Sequence, residues 1–415
     1  MDNGLRVVAQ RVRGIPGIGV AVHYRVGFRS ERKSRSGFAH LFEHMMFQGS
    51  SRARRGEHFQ RVQENGGQVN GHTFPDHTDY YQVVPTGLLD QMLDLEADRM
   101  ARLTITPENL DTQREVVKQE IRLQVHGKPY GGFPWTTLPS IQYRKWANTH
   151  NGFGDIADLN AATADDCLDF YRLHYAPANA VLAICGDLAP GRAFDAARRA
   201  FRSVPARPAP PPVDVGEPPA DEERQGTAYD PLIPRPALAL GWRLPDPTTH
   251  LIDYAAFVVL SHLLTSGASA RLRQAVNAHD AIVDTSVGLF GPLMVRDPDS
   301  FVTVAHHPDG AADAVIATIE DQARTLARSG PTDAEARRAV AVAATRQYQQ
   351  LDSLAHRVRA LARGTLLFDQ PCIADHLARH ITTIGPAQIS QAADSLAHSK
   401  GRAVLMLRQS EEIAA

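Results

Sequence analysis

The sequence SGFAHLFEHMMFQGS, residues 36–50, carries two histidines and a glutamate within one helical turn. Its composition favours a helix, on which His40, Glu43 and His44 are spaced i, i+3 and i+4 and project from one face. Two imidazoles one turn apart can bind one zinc ion, and the glutamate beside them can accept a proton from the water that zinc activates. The segment therefore predicts a hydrolytic zinc site in the H-x-x-E-H order.

A hydrolytic zinc site takes a third protein ligand and leaves one position for water. The sequence TPENLDTQREVVKQEIRLQ, residues 106–124, predicts a second helix, with Thr106 as its cap and apolar residues along one side. Glu120 lies on the flank of this apolar side, where a carboxylate is costly unless it is paired or binds a metal. From the residues alone Glu120 is one of several candidate ligands, the others being Glu96, Glu108 and Glu115.

Length and composition bound the rest of the chain. With 415 residues, two or more domains are expected, and 44 Lys plus Arg against 46 Asp plus Glu leave no basic excess for nucleic acid. Three widely spaced cysteines do not suggest a disulfide framework. The first residues lack the apolar core of a signal peptide, and no apolar run approaches the length of a membrane span. We expect a cytoplasmic protein without a nucleic-acid or membrane partner.

One change in composition divides the chain. Residues 204–223, VPARPAPPPVDVGEPPADEE, are rich in proline and predict an extended linker between residues 1–203 and residues 224–415. Alternating runs typical of strands and longer runs typical of helices interleave on both sides of it. The pattern predicts an α/β fold, an α+β sandwich used twice, in which each domain of about 200 residues packs a mixed sheet against helices.

The segment GFAHLFEHMMFQGS closely resembles the zinc-site segment of the pitrilysin family of metallopeptidases, the inverzincins. The resemblance is to the subfamily that contains the mitochondrial processing peptidases and their bacterial homologues. It continues through GGQVNGHTFPDHTDYY at residues 66–81, NLDTQREVVKQEIR at residues 109–122 and the long segment at residues 152–187. Together with the opening DNGLRVV, it covers most of the first half of the chain.

The resemblance implies a complete zinc site. The ligands of one zinc ion per chain would be His40, His44 and Glu120, and Glu43 would be the general base. The resemblance also implies an edge strand that binds an extended peptide substrate as an added strand, formed by Asn70, Gly71 and Thr73. We do not expect the neighbouring His72 and His77 to be ligands of this zinc ion.

Two departures from the family pattern concern the chemistry. Gln113 stands where many members have a second glutamate, and a glutamine near the ligands is limited to hydrogen bonding. Active members also carry an arginine and a tyrosine seven residues apart, which hold the substrate and stabilise the oxyanion. In the segment at residues 269–288 these positions fall on Asn277 and Asp284, and neither residue can replace them.

These features predict a zinc-dependent endopeptidase subunit that acts on unfolded peptides or precursor peptides. The missing arginine and tyrosine predict a heterodimer, in which a homologous partner subunit supplies the two groups. Two alternatives remain open. In the first, the chain is a non-catalytic structural subunit. In the second, it is a peptidase that is active alone or as a homodimer.

Overall fold

The computed structural model describes residues 1–410, which contain ten strands and sixteen α-helices. The strands are β1 (Arg6–Arg11), β2 (Gly17–Tyr24), β3 (Gln68–Thr73), β4 (Thr78–Pro85), β5 (Ala180–Gly186), β6 (Arg224–Tyr229), β7 (Ala237–Arg243), β8 (Ile282–Val287), β9 (Ser300–His306) and β10 (Ala403–Arg408). The helices are α1 (Phe38–Met45), α2 (Glu57–Gln63), α3 (Leu89–Arg102), α4 (Pro107–Ile121), α5 (Leu138–Gln142), α6 (Trp146–Thr149), α7 (Ile156–Ala161), α8 (Ala164–His174), α9 (Pro190–Phe201), α10 (Leu251–Thr265), α11 (Arg271–Val276), α12 (Ala312–Ser329), α13 (Asp333–Asp352), α14 (Leu354–Phe368), α15 (Ile373–Ile381) and α16 (Pro386–Ala397).

The ten strands form two sheets of five with the same topology. The first sheet has the order β1-β5-β2-β4-β3 and the second has the order β6-β10-β7-β9-β8. In each sheet one outer pair is parallel, β1 with β5 and β6 with β10, and the remaining pairs are antiparallel. The predicted fold class, two similar mixed sheets that each pack against helices, is confirmed.

The chain divides into two compact units that are not continuous in sequence. The first unit comprises residues 1–121, 152–214 and 349–374, and the second comprises the other described residues, 122–151, 215–348 and 375–410. The division expected at the proline-rich segment differs from these units by two exchanged segments. Residues 349–374 belong to the first unit although they follow the proline-rich segment, and residues 122–151 belong to the second unit although they precede it. Residues 349–374 contain α14, which packs on β2, β4 and β5, and residues 122–151 contain α5, which packs on β6, β7 and β10. Each exchanged helix completes the core of the unit that it joins.

The first sheet separates two faces of the first unit. Strand alternation places Tyr80 on the face towards α1, where its hydroxyl donates to the carbonyl of Phe42 at 3.1 Å. The opposite face is covered by α14, and a Cβ added to Gly19 of β2 would lie only 3.1 Å from Val358 of that helix. β3 pairs only with β4 and forms the outer edge of this sheet. The face with α1 and the edge strand β3 hold the residues predicted to be functional.

The second unit buries its own core beneath α10, whose side chains are buried along most of its length. Within residues 1–410, no helix is both long enough and apolar enough to cross a membrane.

Candidate metal centre

The helix that carries the H-x-x-E-H sequence is held at its start by a glutamate from the preceding segment. The carboxylate of Glu31 accepts hydrogen bonds from the backbone N–H of Gly37 at 3.0 Å and of Ala39 at 2.8 Å. A carboxylate at a helix N-terminus satisfies free backbone donors and complements the helix dipole. Sequence analysis missed Glu31, because its contact with the helix start comes from the path of the chain and not from a spacing rule.

α1 buries its apolar side and leaves its polar side partly open. Leu41, Phe42 and Met45 are buried, whereas Glu43 and His44 retain some exposure. This division follows from the helical period, because the apolar residues lie opposite the H-x-x-E-H face.

α4 begins and packs as its sequence predicts. The backbone N–H of Asn109 donates to Thr106 Oγ1 at 3.2 Å, and the N–H of Thr106 donates to Asn109 Oδ1 at 2.9 Å. This reciprocal pair caps the helix. The buried side of α4 includes Leu110, Val117 and Ile121, and the helix packs against α1. Glu120 lies in the last turn of α4.

The two helices bring His40, His44 and Glu120 together. Glu120 Oε2 lies 3.6 Å from His40 Nε2 and 3.5 Å from His44 Nε2. The ligand atoms of the three residues lie within 4.8 Å of one another. Exposure increases along the set, from 9% for the His40 side chain through 21% for His44 to 37% for Glu120. The group is therefore anchored on one side and reachable from solvent on the other.

The other candidate glutamates have different roles. Glu96 is fully buried and accepts hydrogen bonds from Arg99 at 2.5 and 2.8 Å. Glu115 is mostly exposed and pairs with Lys118 at 2.7 Å. Glu108 is exposed in the first turn of α4. Of the four glutamates, only Glu120 is grouped with the two histidines in a set that could hold a metal ion.

The electrostatics of the group fit a metal site. Contacts with His40 and His44 hold the pKa of Glu120 far below its usual range, so this carboxyl is ionised. Burial alone would lower the pKa of His40, but the contact with Glu120 and the charge of Glu43 raise it. Two imidazole nitrogens and one carboxylate oxygen form a donor set that zinc prefers, with one position left open. The residues present therefore fit one zinc ion.

Glu43 lies between the metal-binding residues and the edge strand. A Cβ added to Gly71 of β3 would lie 3.3 Å from Glu43 Cγ. Thr73 Oγ1 donates to the carbonyl of Ala39 of α1 at 3.4 Å. Gly71 and Thr73 thus face α1, whereas alternation puts Asn70 and His72 on the opposite face of β3. The role of Asn70, Gly71 and Thr73 in substrate binding stays a prediction.

The other positions predicted from the sequence are not part of the group formed by His40, His44 and Glu120. Gln113 is 5% exposed on α4, and its hydrogen bonding to the ligands stays a prediction. In the second unit, Asn277 caps the C-terminal end of α11, and Asp284 lies in the edge strand β8. His72 is not part of the group around Glu120, and His77 belongs to a second cluster with His23 and Asp79.

Comparison with known proteins identifies relatives of both units. Residues 6–128 match the family described as insulinase, peptidase family M16, and residues 161–342 match the family described as peptidase M16 inactive domain. Zinc protease PqqE of Helicobacter pylori is 30% identical over 305 residues, which span 70% of this chain and 68% of that protein. A probable mitochondrial-processing peptidase subunit beta of Arabidopsis thaliana is 24% identical over 50% of this chain and 39% of its own length.

A solved structure shows the same fold over almost the whole chain. The crystal structure of a protease from Helicobacter pylori superimposes with a TM-score of 0.88 at 24% sequence identity. The superposition covers 98% of each chain.

Proposed function

We propose that this chain, which belongs to peptidase family M16 and so to the pitrilysin metallopeptidases, is the zinc-binding subunit of an endopeptidase. Its substrates would be unfolded peptides or precursor peptides. The observation that carries the proposal is the convergence of His40, His44 and Glu120 beside Glu43. Names that describe relatives as zinc proteases support the same class of reaction.

The chemistry divides between the metal and the chain. A bound zinc ion supplies a Lewis acid that acidifies water and polarises the scissile carbonyl. The Glu43 carboxylate accepts a proton as water adds to the carbonyl carbon, and it returns that proton to the amine nitrogen when the C–N bond breaks. The free edge of β3 offers backbone donors and acceptors that can hold the peptide as an added strand. Gly71 lets this strand pass close to Glu43.

A homologous partner subunit is part of the proposal. Asparagine at position 277 has no charge to offer, and aspartate at position 284 would repel a developing oxyanion. Asp284 also accepts a hydrogen bond from the backbone N–H of Thr285 at 2.9 Å. We therefore propose a heterodimer in which the partner supplies an arginine and a tyrosine. A cytoplasmic location also stays a prediction.

The test is cleavage of a mixed pool of short peptides by the purified, zinc-loaded chain, read by mass spectrometry. Zinc-loaded Glu43→Gln protein is the matched control. We expect no cleavage by the chain alone and cleavage after a homologous subunit encoded in the same genome is added.

Each result selects one of the three functions. Chelator-sensitive cleavage by the chain alone, lost in Glu43→Gln, would replace the heterodimer with a self-sufficient peptidase. No cleavage by the zinc-loaded complex of both subunits would identify a structural subunit and overturn the proposal.

A further inference from the structure

The first unit contains a second cluster of metal-binding side chains, on the sheet face that α14 covers. It consists of His23 on β2, His77 immediately before β4, and Asp79 on β4. The side chains of all three are 0% exposed. Within residues 1–410, this cluster and the group around Glu120 are the two sets of histidine, cysteine and carboxylate side chains close enough to share a metal ion.

The two imidazoles converge on one carboxylate oxygen. Asp79 Oδ2 lies 3.9 Å from His23 Nε2 and 4.0 Å from His77 Nε2. These distances are too long for hydrogen bonds. Two ligands of one tetrahedral zinc ion, each bonded at about 2.0 to 2.1 Å, lie roughly 3.3 to 3.4 Å apart. An ion between the nitrogens and the oxygen therefore requires each of these separations to shorten by about 0.6 Å.

The imidazole nitrogens of this cluster have no other partner. Both ring nitrogens of His23 and both of His77 are buried without a hydrogen bond. The rings are stacked, with centroids 5.2 Å apart and planes inclined by 7°. Buried polar atoms in folded proteins almost always have a partner, and one shared ion would supply a partner for one nitrogen of each ring.

Burial keeps both histidines in the form that binds metals. It lowers the pKa of His77 to about 3 and the pKa of His23 well below its usual value. Each ring is therefore a neutral imidazole with one nitrogen lone pair available for coordination.

The carboxylate is ionised and held in place by its neighbours. Arg359 of α14 donates to Asp79 Oδ2 through Nε at 3.0 Å and Nη2 at 2.8 Å, and His72 Nδ1 lies 3.3 Å from Asp79 Oδ1. Burial alone would raise the pKa of Asp79, but the hydrogen bond with His72 and the charge of Arg359 lower it far below its usual range. His72, at Oδ1, is placed as an outer partner that orients a metal ligand. Arg359 donates to Oδ2, the oxygen that faces the two imidazoles, and so competes with an ion for it.

We propose that His23, His77 and Asp79 form a second, buried zinc site with a structural role. No peptide can reach side chains that are 0% exposed, so this site would join β2 to β4 and take no part in hydrolysis. Because Arg363 and Arg359 both place positive charge beside this cluster, the site binds zinc less tightly than the group around Glu120. This inference is independent of the proposed peptidase function.

The sequence contains a signal for this cluster. His77 and Asp79 are two residues apart at the start of a strand, so their side chains point to the same face. His23 is the direct partner of Asp79 in the antiparallel register of β2 and β4. The spacing of His77 and Asp79 can be seen in the sequence, whereas their proximity to His23 depends on the register in which β2 pairs with β4.

The deciding experiment is the zinc content of the full chain after the exposed site has been removed. A His40→Ala/His44→Ala double variant, expressed with added zinc, is expected to retain about one zinc ion per chain by elemental mass spectrometry. Adding His77→Gln should remove that ion. Adding His174→Gln, which replaces a buried histidine outside both clusters, should not. The double variant leaves the second cluster intact, so its zinc count decides the proposal even if His77→Gln fails to fold.

Cobalt gives an independent readout of the same site. In the cobalt-loaded double variant, His77→Cys should produce the near-ultraviolet charge-transfer band of a cobalt–thiolate bond, because a thiolate ligand in place of imidazole transfers charge to cobalt. In the otherwise unmodified chain, a chelator should remove zinc in two phases, with the slow phase from the buried cluster. A double variant that holds no zinc would overturn the proposal. So would a double variant that loses its zinc to the same extent when His174→Gln is added as when His77→Gln is added.

Discussion

His44 Nε2 on α1 lies 3.5 Å from Glu120 Oε2 at the end of α4. This contact brings together two helices that the sequence predicts separately. It adds a third ligand, Glu120, to the two histidines of α1.

Replacing Glu120 is expected to empty this group of zinc. Loss of an outer partner of a ligand costs about 10- to 100-fold in metal affinity, so we expect Glu120→Ala, which removes a direct ligand, to cost at least about 100-fold. Competition with a chromophoric chelator measures the affinity. Glu115→Ala is the matched control, since that residue is on the same helix but pairs with Lys118. Equal losses in the two variants would mean that Glu120 is not the third ligand.

Glu43→Gln is expected to separate metal binding from catalysis. The amide keeps the size of the side chain but cannot accept the proton of the attacking water, so hydrolysis should fall by about 100-fold or more. Zinc content should stay unchanged, because Glu43 is not one of the three ligands. The measurement is kcat in the competent complex, with zinc determined on the same samples. Turnover at the original rate would remove Glu43 as the base.

Gly71→Ala is expected to disturb Glu43 through space. The new methyl group would lie 3.1 Å from the ring of Tyr80 and 3.3 Å from Glu43 Cγ. Such overpacking costs typically about 1 to 3 kcal/mol of stability. We expect a lower free energy of unfolding and a lower kcat, with zinc retained. Gly87→Ala is the control, because nothing lies within 4 Å of its added Cβ. If both variants match the unmodified chain, the close approach of β3 to Glu43 has no effect on activity.

The ion pair between Arg359 and Asp79 is expected to stabilise the first unit strongly. The Arg359 side chain is 12% exposed and the Asp79 side chain is 0% exposed. In the zinc-free protein, Arg359→Met would leave a buried carboxylate without its cation, at a cost of about 3 to 5 kcal/mol. Arg6→Met breaks an exposed ion pair with Asp369, which lies with Arg359 in residues 349–374. This substitution should cost about 1 kcal/mol or less. Urea unfolding of both variants tests the contrast, and equal costs would contradict it.

His58 is expected to make stability depend on pH below neutrality. Burial and the nearby Arg99 charge lower its pKa to about 3, and its Nε2 lies 2.7 Å from Gln82 Oε1. Protonation therefore favours the unfolded state, where the pKa is about 6.5. The contribution of neutral His58 is complete above pH 6.5 and is lost as the pH falls towards 3.

The comparison is between the original chain and His58→Gln at pH 7.5 and pH 5. The stability advantage of histidine over glutamine should shrink by about 2 kcal/mol between these pH values, since each pH unit below 6.5 costs about 1.4 kcal/mol. Urea titrations at both pH values measure the difference. A constant difference would show that His58 does not titrate with unfolding.

The elements around the site could be predicted from the sequence because each one carries a local signal. Helical spacing identifies His40, Glu43 and His44, and the cap at Thr106 with the apolar stripe identifies α4. The choice of Glu120 over Glu115 needed the family resemblance, and the structure explains it by the pairing of Glu115 with Lys118.

The exchanged segments carried no such signal. Many residues of α14 are buried, but its local sequence does not indicate which sheet it covers. Its placement depends on long-range packing against β2, β4 and β5 and on the pairing of Arg359 with Asp79. Propensity and periodicity report contacts a few residues apart, so a partnership across most of the chain lies outside their range.

The late position of α14 has a consequence during synthesis on the ribosome. All five strands of the first sheet have been translated once Gly186 is added, but the segment that covers one face of that sheet ends at Ala374. At about 5 to 20 residues per second, roughly 10 to 40 seconds pass between the synthesis of Gly186 and that of Ala374, and the face stays uncovered during this time. The nascent chain therefore holds His23 and Asp79 open to the surrounding solution during this interval. A chaperone that shields this face, or an ion that enters the cluster before α14 docks, would act in that period and not on the finished protein.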